Sequence, residues 1–290
     1  MKLIKVQDGV GIKEIHWDLD GTTPTSSFEI VPIGDTHIGS PVCDIDEIKR
    51  TVRYVQEDQN RYVVLHGDFI DNGIPGSKTD VLSQSMTMQE QIDLAVKLLE
   101  PIKDKILCIL DGNHENRTKL AAGIDVTSFM AFRLGVENVY SSGTGVVLLD
   151  LKFGKGTRSG VKTASHHFTV VVAHGGKGGV TIGSAATSLE GLQSIIVNAD
   201  MYIIGHTHKV INFIKEVYFV NLYGFLETKI QYYVNTTAFL KYGSYGKDKL
   251  YPPTTIKPQS VVVRASEVKK LTIGNTSRTK QYFICDVKNI

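Results

Sequence analysis

Five short apolar runs, each ending in a turn that carries Asp, His or Asn, constrain this chain more than any other feature. They are Phe28 to Ile33 before Gly34-Asp35-Thr36-His37, Tyr62 to Leu65 before His66-Gly67-Asp68-Phe69-Ile70-Asp71-Asn72, Ile106 to Leu110 before Gly112-Asn113-His114-Glu115, Phe168 to Ala173 before His174, and Met201 to Ile204 before Gly205-His206-Thr207-His208. Runs of this length and character read as strands covered on both faces. Open α/β sheets build their sites where such strands end, so the turns are predicted to meet along one sheet edge. Taken alone, Gly67-Asp68 with Asp71 is an ordinary turn, since Gly and Asp favour turns for their own reasons. Five such turns together ask for a common cause. Asp, His and Asn supply N and O donors that suit manganese, iron, zinc and similar ions, and seven of them exceed what one metal needs.

The elements between the runs set the fold class. Residues 1–26 alternate weakly and read as edge strands closed by a loop, with His16 and Trp17 as packing residues. A strand–helix alternation follows, with helices expected over about 44–59, 80–103 and 125–134. From Gly145 the pattern turns to strands, at 146–153, 168–173, 201–204, 211–220 and 229–235, with one helix at about 188–198. This mixture predicts an α+β domain: a two-sheet β-sandwich flanked by helices, four layers in the order α/β/β/α. The core is assigned to 27–241, and 242–290 to an appended lobe or lid, with strand-like runs at 260–264 and 281–287. Met86 and Met88 read as core filler.

Composition narrows the class. The chain has 290 residues, 42% of them hydrophobic, and Lys plus Arg at 32 against Asp plus Glu at 30 leaves a net charge of +2. No whole-molecule field therefore recruits nucleic acid or a membrane, and any affinity for polyanions is local. Cys43, Cys108 and Cys285 match neither a disulfide framework nor a zinc knuckle, and the first ten residues hold no apolar stretch for export, so a reducing cytoplasm is expected. Oligomeric state is left open.

In that order, Asp-x-His, Gly-Asp-x-x-Asp, Gly-Asn-His-Glu, a lone His before Gly and Gly-His-x-His resemble the calcineurin-like metallophosphoesterase superfamily, most of all its compact bacterial and bacteriophage members. The resemblance covers roughly residues 28–240. It implies a phosphoester hydrolase with two divalent ions, manganese foremost, with iron, zinc, nickel or cobalt as alternatives. It implies one ion on Asp35, His37, Asp68 and His208 and the other on Asp68, Asn113, His174 and His206, with Asp68 bridging. Two such ions, typically about 3.5–4 Å apart, make a hydroxide available near neutral pH and clamp the phosphoryl oxygens for in-line attack. By the same resemblance His114 is the proton donor to the leaving oxygen, and Asp71 is expected to orient its ring.

Where protein phosphatases of this class carry Asp-Arg-Gly, this chain has Asp71-Asn72-Gly73, so a phosphate-gripping guanidinium is missing. Arg117 is a candidate replacement, or else a surface residue capping or pairing on the following helix; Lys177, in the Gly-rich turn 175–179, is a second candidate against plain flexibility. The departure favours phosphodiester substrates, as in a nuclease or nucleotide phosphodiesterase, over the alternatives of a phosphomonoesterase, a protein phosphatase or a non-catalytic metal-binding scaffold. Tyr242, Tyr245, Lys247, Lys249 and Tyr251 interleave aromatic and basic residues as single-stranded nucleic-acid surfaces do, or form a lid. His66 reads as a satisfied core residue, and His166 and His167 as surface or edge residues.

Overall fold

In the run Arg61–Leu65, Val63 and Leu65 point one way and Val64 the other, yet all three are buried, which requires cover on both faces. The computed structural model describes residues 2–7, 10–19, 27–77, 81–153, 164–176, 179, 181–221, 224–243, 247, 252–265, 269–273, 276–280 and 283–290. In chain order the elements are β1 (Lys2–Gln7), β2 (Val10–Leu19), β3 (Ser27–Ile33), α1 (Ile45–Gln56), β4 (Arg61–Leu65), α2 (Met88–Leu99), β5 (Ile106–Leu110), α3 (Asn113–Ala122), α4 (Val126–Leu134), β6 (Tyr140–Ser141), β7 (Thr144–Phe153), β8 (Ala164–Ala173), α5 (Ile182–Ile195), β9 (Met201–Ile204), β10 (Ile211–Val220), β11 (Leu226–Asn235), β12 (Gln259–Ala265), β13 (Lys269–Ile273), β14 (Thr276–Lys280) and β15 (Phe283–Asn289).

Two sheets face each other. The first has the order β15-β12-β3-β4-β5-β6, parallel from β3 to β6; the second has the order β1-β2-β7-β8-β9-β11-β10. Between them lie Phe28, Ile30, Val64, Leu110, Phe168, Val170, Val172, Met201, Ile203 and Val234. The alternate residues face outward. Val31, Ile33, Val63 and Leu65 pack on Ile48, Val52, Ile92, Val96 and Met130 of α1, α2 and α4, while Val171, Tyr202, Ile204 and Tyr233 pack on Leu189 and Leu192 of α5. The result is the α+β, four-layer α/β/β/α arrangement that the strand pattern predicts. No helix among the described residues is long and apolar enough to cross a membrane.

The helices differ from their expected spans for identifiable reasons. α1 follows Asp44, whose side chain accepts from Glu47 N. The helix expected from residue 80 starts only at Met88, because Thr87 and Glu90 form a reciprocal cap there; beyond Leu99 the chain tightens into a 3₁₀ turn at Glu100–Lys105, with Pro101 near its start. α5 begins at Ile182 behind a Thr181 cap, earlier than expected. α3 was not expected at all. Its buried residues are Glu115 and Thr118, so it carries no apolar period for a sequence reading to detect.

The C-terminal segment corrects an expectation. β12 pairs antiparallel with β3, and β15 with β12, so this part of the chain extends the first sheet instead of forming a separate lobe. Val261, Val263 and Cys285 sit in the layer between the sheets. A buried Val contributes about 1.5–3 kcal/mol, so these positions alone approach the 5–15 kcal/mol net stability of a typical domain. A chain ending at residue 241 is therefore expected to lose its cooperative melt by circular dichroism, where a mere lid would leave it unchanged. Of the basic-aromatic stretch, Tyr242 is exposed, while Tyr245, Lys249 and Tyr251 lie outside the described residues. The side chains of His16, Trp17, His166 and His167 also lie outside them.

Candidate metal centre

The turns after β3 and β4 keep strand pairing beyond the strands. Asp35 N donates to Gly67 O (2.9 Å), His37 N to Asp68 O (3.0 Å) and Asp71 N to Ile38 O (2.8 Å), which locks Asp35, His37, Asp68 and Asp71 in one register. The turn after β5 presses against them so closely that a Cβ at Gly67 would lie 2.5 Å from Gly112 N, and one at Gly112 would lie 2.1 Å from Asp68 Oδ1. Glycine is required at both. Glu115, buried on α3, then ties the two turns together: its carboxylate accepts from Asp68 N and Gly112 N (both 2.9 Å) and from Ile70 N (3.1 Å). Burial, and then the nearby charge of Asp68, push the Glu115 carboxyl up to about 7. A sequence signal for this clasp existed, in a Glu three residues after the Gly112 cap.

Among the described residues, the non-glycine positions with positive φ are Asp35 (48°), His37 (45°), Asp68 (52°), Asn72 (46°), His206 (65°) and His208 (56°). Left-handed backbone is uncommon outside glycine and costs on the order of 1–3 kcal/mol per residue. Five of the six are expected metal ligands. The surrounding sheets hold this strain in place and aim the side chains inward.

All seven expected ligands converge. Asp35, His37 and His208 form one group, and Asp68, His174 and His206 another, with the ligand atoms of each group within 4.8 Å of one another. In the first, His208 Nε2 lies 3.3 Å from Asp35 Oδ1 and 3.2 Å from His37 Nε2. In the second, His174 Nε2 lies 3.2 Å from Asp68 Oδ2 and 3.0 Å from Asn113 Oδ1. Asp68 stands between them, its Oδ2 4.0 Å from His37 Nε2. Asn113 is exposed and His114, His206 and His208 are partly so, which leaves the centre open to solvent.

The donor chemistry fits a cation. His174 Nδ1 donates to His66 O (2.9 Å), so in the neutral ring the Nε2 lone pair is turned toward Asp68 and Asn113, both acceptors. Acceptors that face one another need positive charge between them. The acid–base balance says the same: burial pushes His174 down, but Asp68 beside it more than offsets this and holds the ring at about 10. Burial alone would raise the Asp35 carboxyl, yet hydrogen bonding and charge from His208 keep it well below the usual carboxylate range. Asp68 is likewise held low, by His174 and His114 against its burial.

The remaining candidates sort less uniformly. His114 Nδ1 donates to the backbone carbonyl of Asp71 (2.7 Å), whereas the Asp71 carboxylate lies 3.6 Å away and closer, at 3.4 Å, to His37 Nδ1. The expected orienting contact is thus made by main chain. Arg117 Nη1 donates to the same carbonyl at 3.1 Å, which places its guanidinium at the edge of the centre. Lys177 lies outside the described residues. His66 is buried with Nε2 3.1 Å from Thr236 Oγ1, but its Nδ1 has no partner and lies 3.8 Å from Asp35 Oδ2, so it is only half satisfied.

Asn72 is a brace. Fully buried, it donates through Nδ2 to His114 O (2.5 Å) and Thr118 Oγ1 (2.9 Å), fastening the start of α3 to the β4 turn. Asn72→Ala is expected to cost about 2–4 kcal/mol in urea unfolding, from the stranded polar partners and from Ala in the left-handed region. Asn72→Gly, which relieves the backbone part, should cost about 1 kcal/mol less.

A family model, calcineurin-like phosphoesterase, matches residues 28–210, more than half of the chain and every turn described above. The chain belongs to the calcineurin-like phosphoesterase family. No curated protein matches this chain. Among solved structures, it is similar to Vps29 of Chaetomium thermophilum at 12% identity, with a TM-score of 0.39 over 90% of this chain and 99% of that one. For a calcineurin-like phosphoesterase, divalent metal ions are the implied cofactors; among the described residues four carboxylate–histidine groups could hold one, the two above together with Asp35, His66 and His174 and with His37, Asp71 and His114.

Proposed function

We propose that this family member is a two-metal phosphoesterase that acts on phosphodiesters, as a nuclease or nucleotide phosphodiesterase does. The observation that carries the reading is the convergence of seven N and O donors, two of them ionised, buried carboxylates. Asp35, His37 and His208 would hold one ion, and Asn113, His174 and His206 the second, with Asp68 shared. The donors include no thiolate, which suits manganese first and iron, zinc, nickel or cobalt after it. Bound divalent ions supply Lewis acidity there, lowering the pKa of a coordinated water and neutralising phosphoryl charge.

The chain's own residues do the rest. Asp35 and Asp68 keep their charge at neutral pH although buried, which makes them strong cation ligands. His114, anchored by its Nδ1–H on Asp71 O, turns Nε2 into the open side of the centre and delivers a proton to the leaving oxygen. Burial and the nearby His37 push His114 down to about 3, so the ring is neutral until an anionic phosphoester supplies the opposing charge that raises it. Arg117 reaches a phosphate from the edge. Asn72, occupied as a brace, offers no guanidinium of the kind protein phosphatases use, which favours a diester over a phosphoprotein.

Manganese-loaded protein is expected to bind two ions per chain, to cleave linear DNA, a cyclic nucleotide or bis-p-nitrophenyl phosphate, and to act more slowly on p-nitrophenyl phosphate. A faster monoester reaction would overturn the diester preference. Two bound ions with no turnover on any ester would overturn the hydrolase reading itself.

A further inference from the structure

A chain of amides runs from α2 to the candidate centre, and its end point is not the proton donor. Gln91, 1% exposed, accepts through Oε1 from Asn72 N (3.0 Å) and donates through Nε2 to Met86 O and to Gln84 Oε1, both at 3.0 Å. Gln84 has its oxygen engaged in this way, so its Nε2 is turned toward Asp71 Oδ2, to which it donates at 2.8 Å. That leaves Asp71 Oδ1, which lies 3.4 Å from His37 Nδ1. His37 is buried, its Nδ1 makes no hydrogen bond, and its Nε2 faces Asp35 and His208. Meanwhile His114 has its own anchor in the Asp71 carbonyl and has no need of the carboxylate.

We infer that Gln91 and Gln84 are positioning residues that aim the Asp71 carboxylate at His37 Nδ1, so that His37 holds its proton there and presents the Nε2 lone pair to a metal ion. A ligating imidazole is commonly fixed in this way by an acceptor on its other nitrogen, and loss of such a partner typically costs 10–100-fold in metal affinity. The amide chain occupies Asp71 Oδ2, and the remaining Oδ1 lies nearer to His37 Nδ1 (3.4 Å) than to His114 Nδ1 (3.6 Å), whose own donor is already spent on the Asp71 carbonyl. Gln84 directly follows the 3₁₀ turn Val81–Ser83 and Gln91 lies within α2, so the device also ties the first helical layer to the centre.

The inference rests on His37 being a ligand, and the experiment separates the two. Metal-free wild type, Gln84→Ala, Asp71→Asn and the double variant are titrated with manganese by calorimetry, and their melting curves without metal are recorded alongside. Nitrogen NMR of labelled imidazoles reads which nitrogen of His37 carries the proton. Expected are two ions in the wild type, a 10–100-fold weaker affinity for one of the two steps in Gln84→Ala, and a mixed tautomer at His37, with the metal-free melting temperature little changed. The double variant should be no worse than Asp71→Asn, since Gln84 acts through Asp71. Unchanged affinity and tautomer in Gln84→Ala, with two ions in the wild type, overturn the relay alone. A wild type that binds no ion overturns the metal-centre reading and the relay with it.

Discussion

Asp68→Asn is expected to bind at most one manganese ion per chain and to lose on the order of 10³-fold or more in kcat/KM on any phosphoester. Asn is chosen because it tolerates the left-handed backbone at this position (φ 52°) and can still accept from His114 N, as Asp68 Oδ1 does at 2.8 Å. What it removes is the charge proposed to be shared by both donor groups. The metal-free protein gives an independent readout. In the wild type His174 titrates near 10 because Asp68 outweighs burial; without that carboxylate burial prevails, and the ring should titrate below its ordinary value. If the variant keeps two ions and near-normal turnover, Asp68 is not shared between them.

The parts of this molecule legible in the sequence are those that burial makes apolar on both faces. Val63 to Leu65, Ile106 to Leu110 and Val170 to Ala173 are unbroken runs because the strands lie between two covered layers, and their ends therefore located the centre. What the pattern does not mark is polar and largely buried. α3 offers only Glu115 and Thr118 to the interior, so no period marks it, and Gln84, Gln91 and Asn72 belong to residue types that ordinarily sit on the surface. The Asp71 contact to His114 was illegible for a different reason: a carbonyl is common to every residue, so nothing in the side chain announces it. β12 and β15 were expected as strand-like runs but assigned to an appended lobe, because Pro252, Pro253 and Pro258 precede them and suggest irregular chain, although β12 pairs with β3 and β15 with β12 through residues 259–265 and 283–289.

His114→Ala is expected to divide substrates by leaving group. General acid catalysis is worth on the order of 10²–10⁴ in rate, and the gain is largest where the departing oxygen is a poor anion. Cleavage of a nucleic-acid linkage, which expels an alkoxide, should slow by about that factor, while a p-nitrophenyl ester, whose oxygen is stable as an anion, should slow much less. Metal content should remain at two, since His114 Nε2 lies 3.8 Å from Asp68 Oδ2 and the ring is anchored by main chain outside the two donor groups. Asp71→Asn makes the contrasting control. It preserves the carbonyl that holds His114 but changes the carboxylate beside His37, so its losses should follow metal occupancy and fall on both ester types alike. Equal losses on both esters in His114→Ala, with two ions retained, would assign the ring to binding or charge stabilisation and remove it as the proton donor.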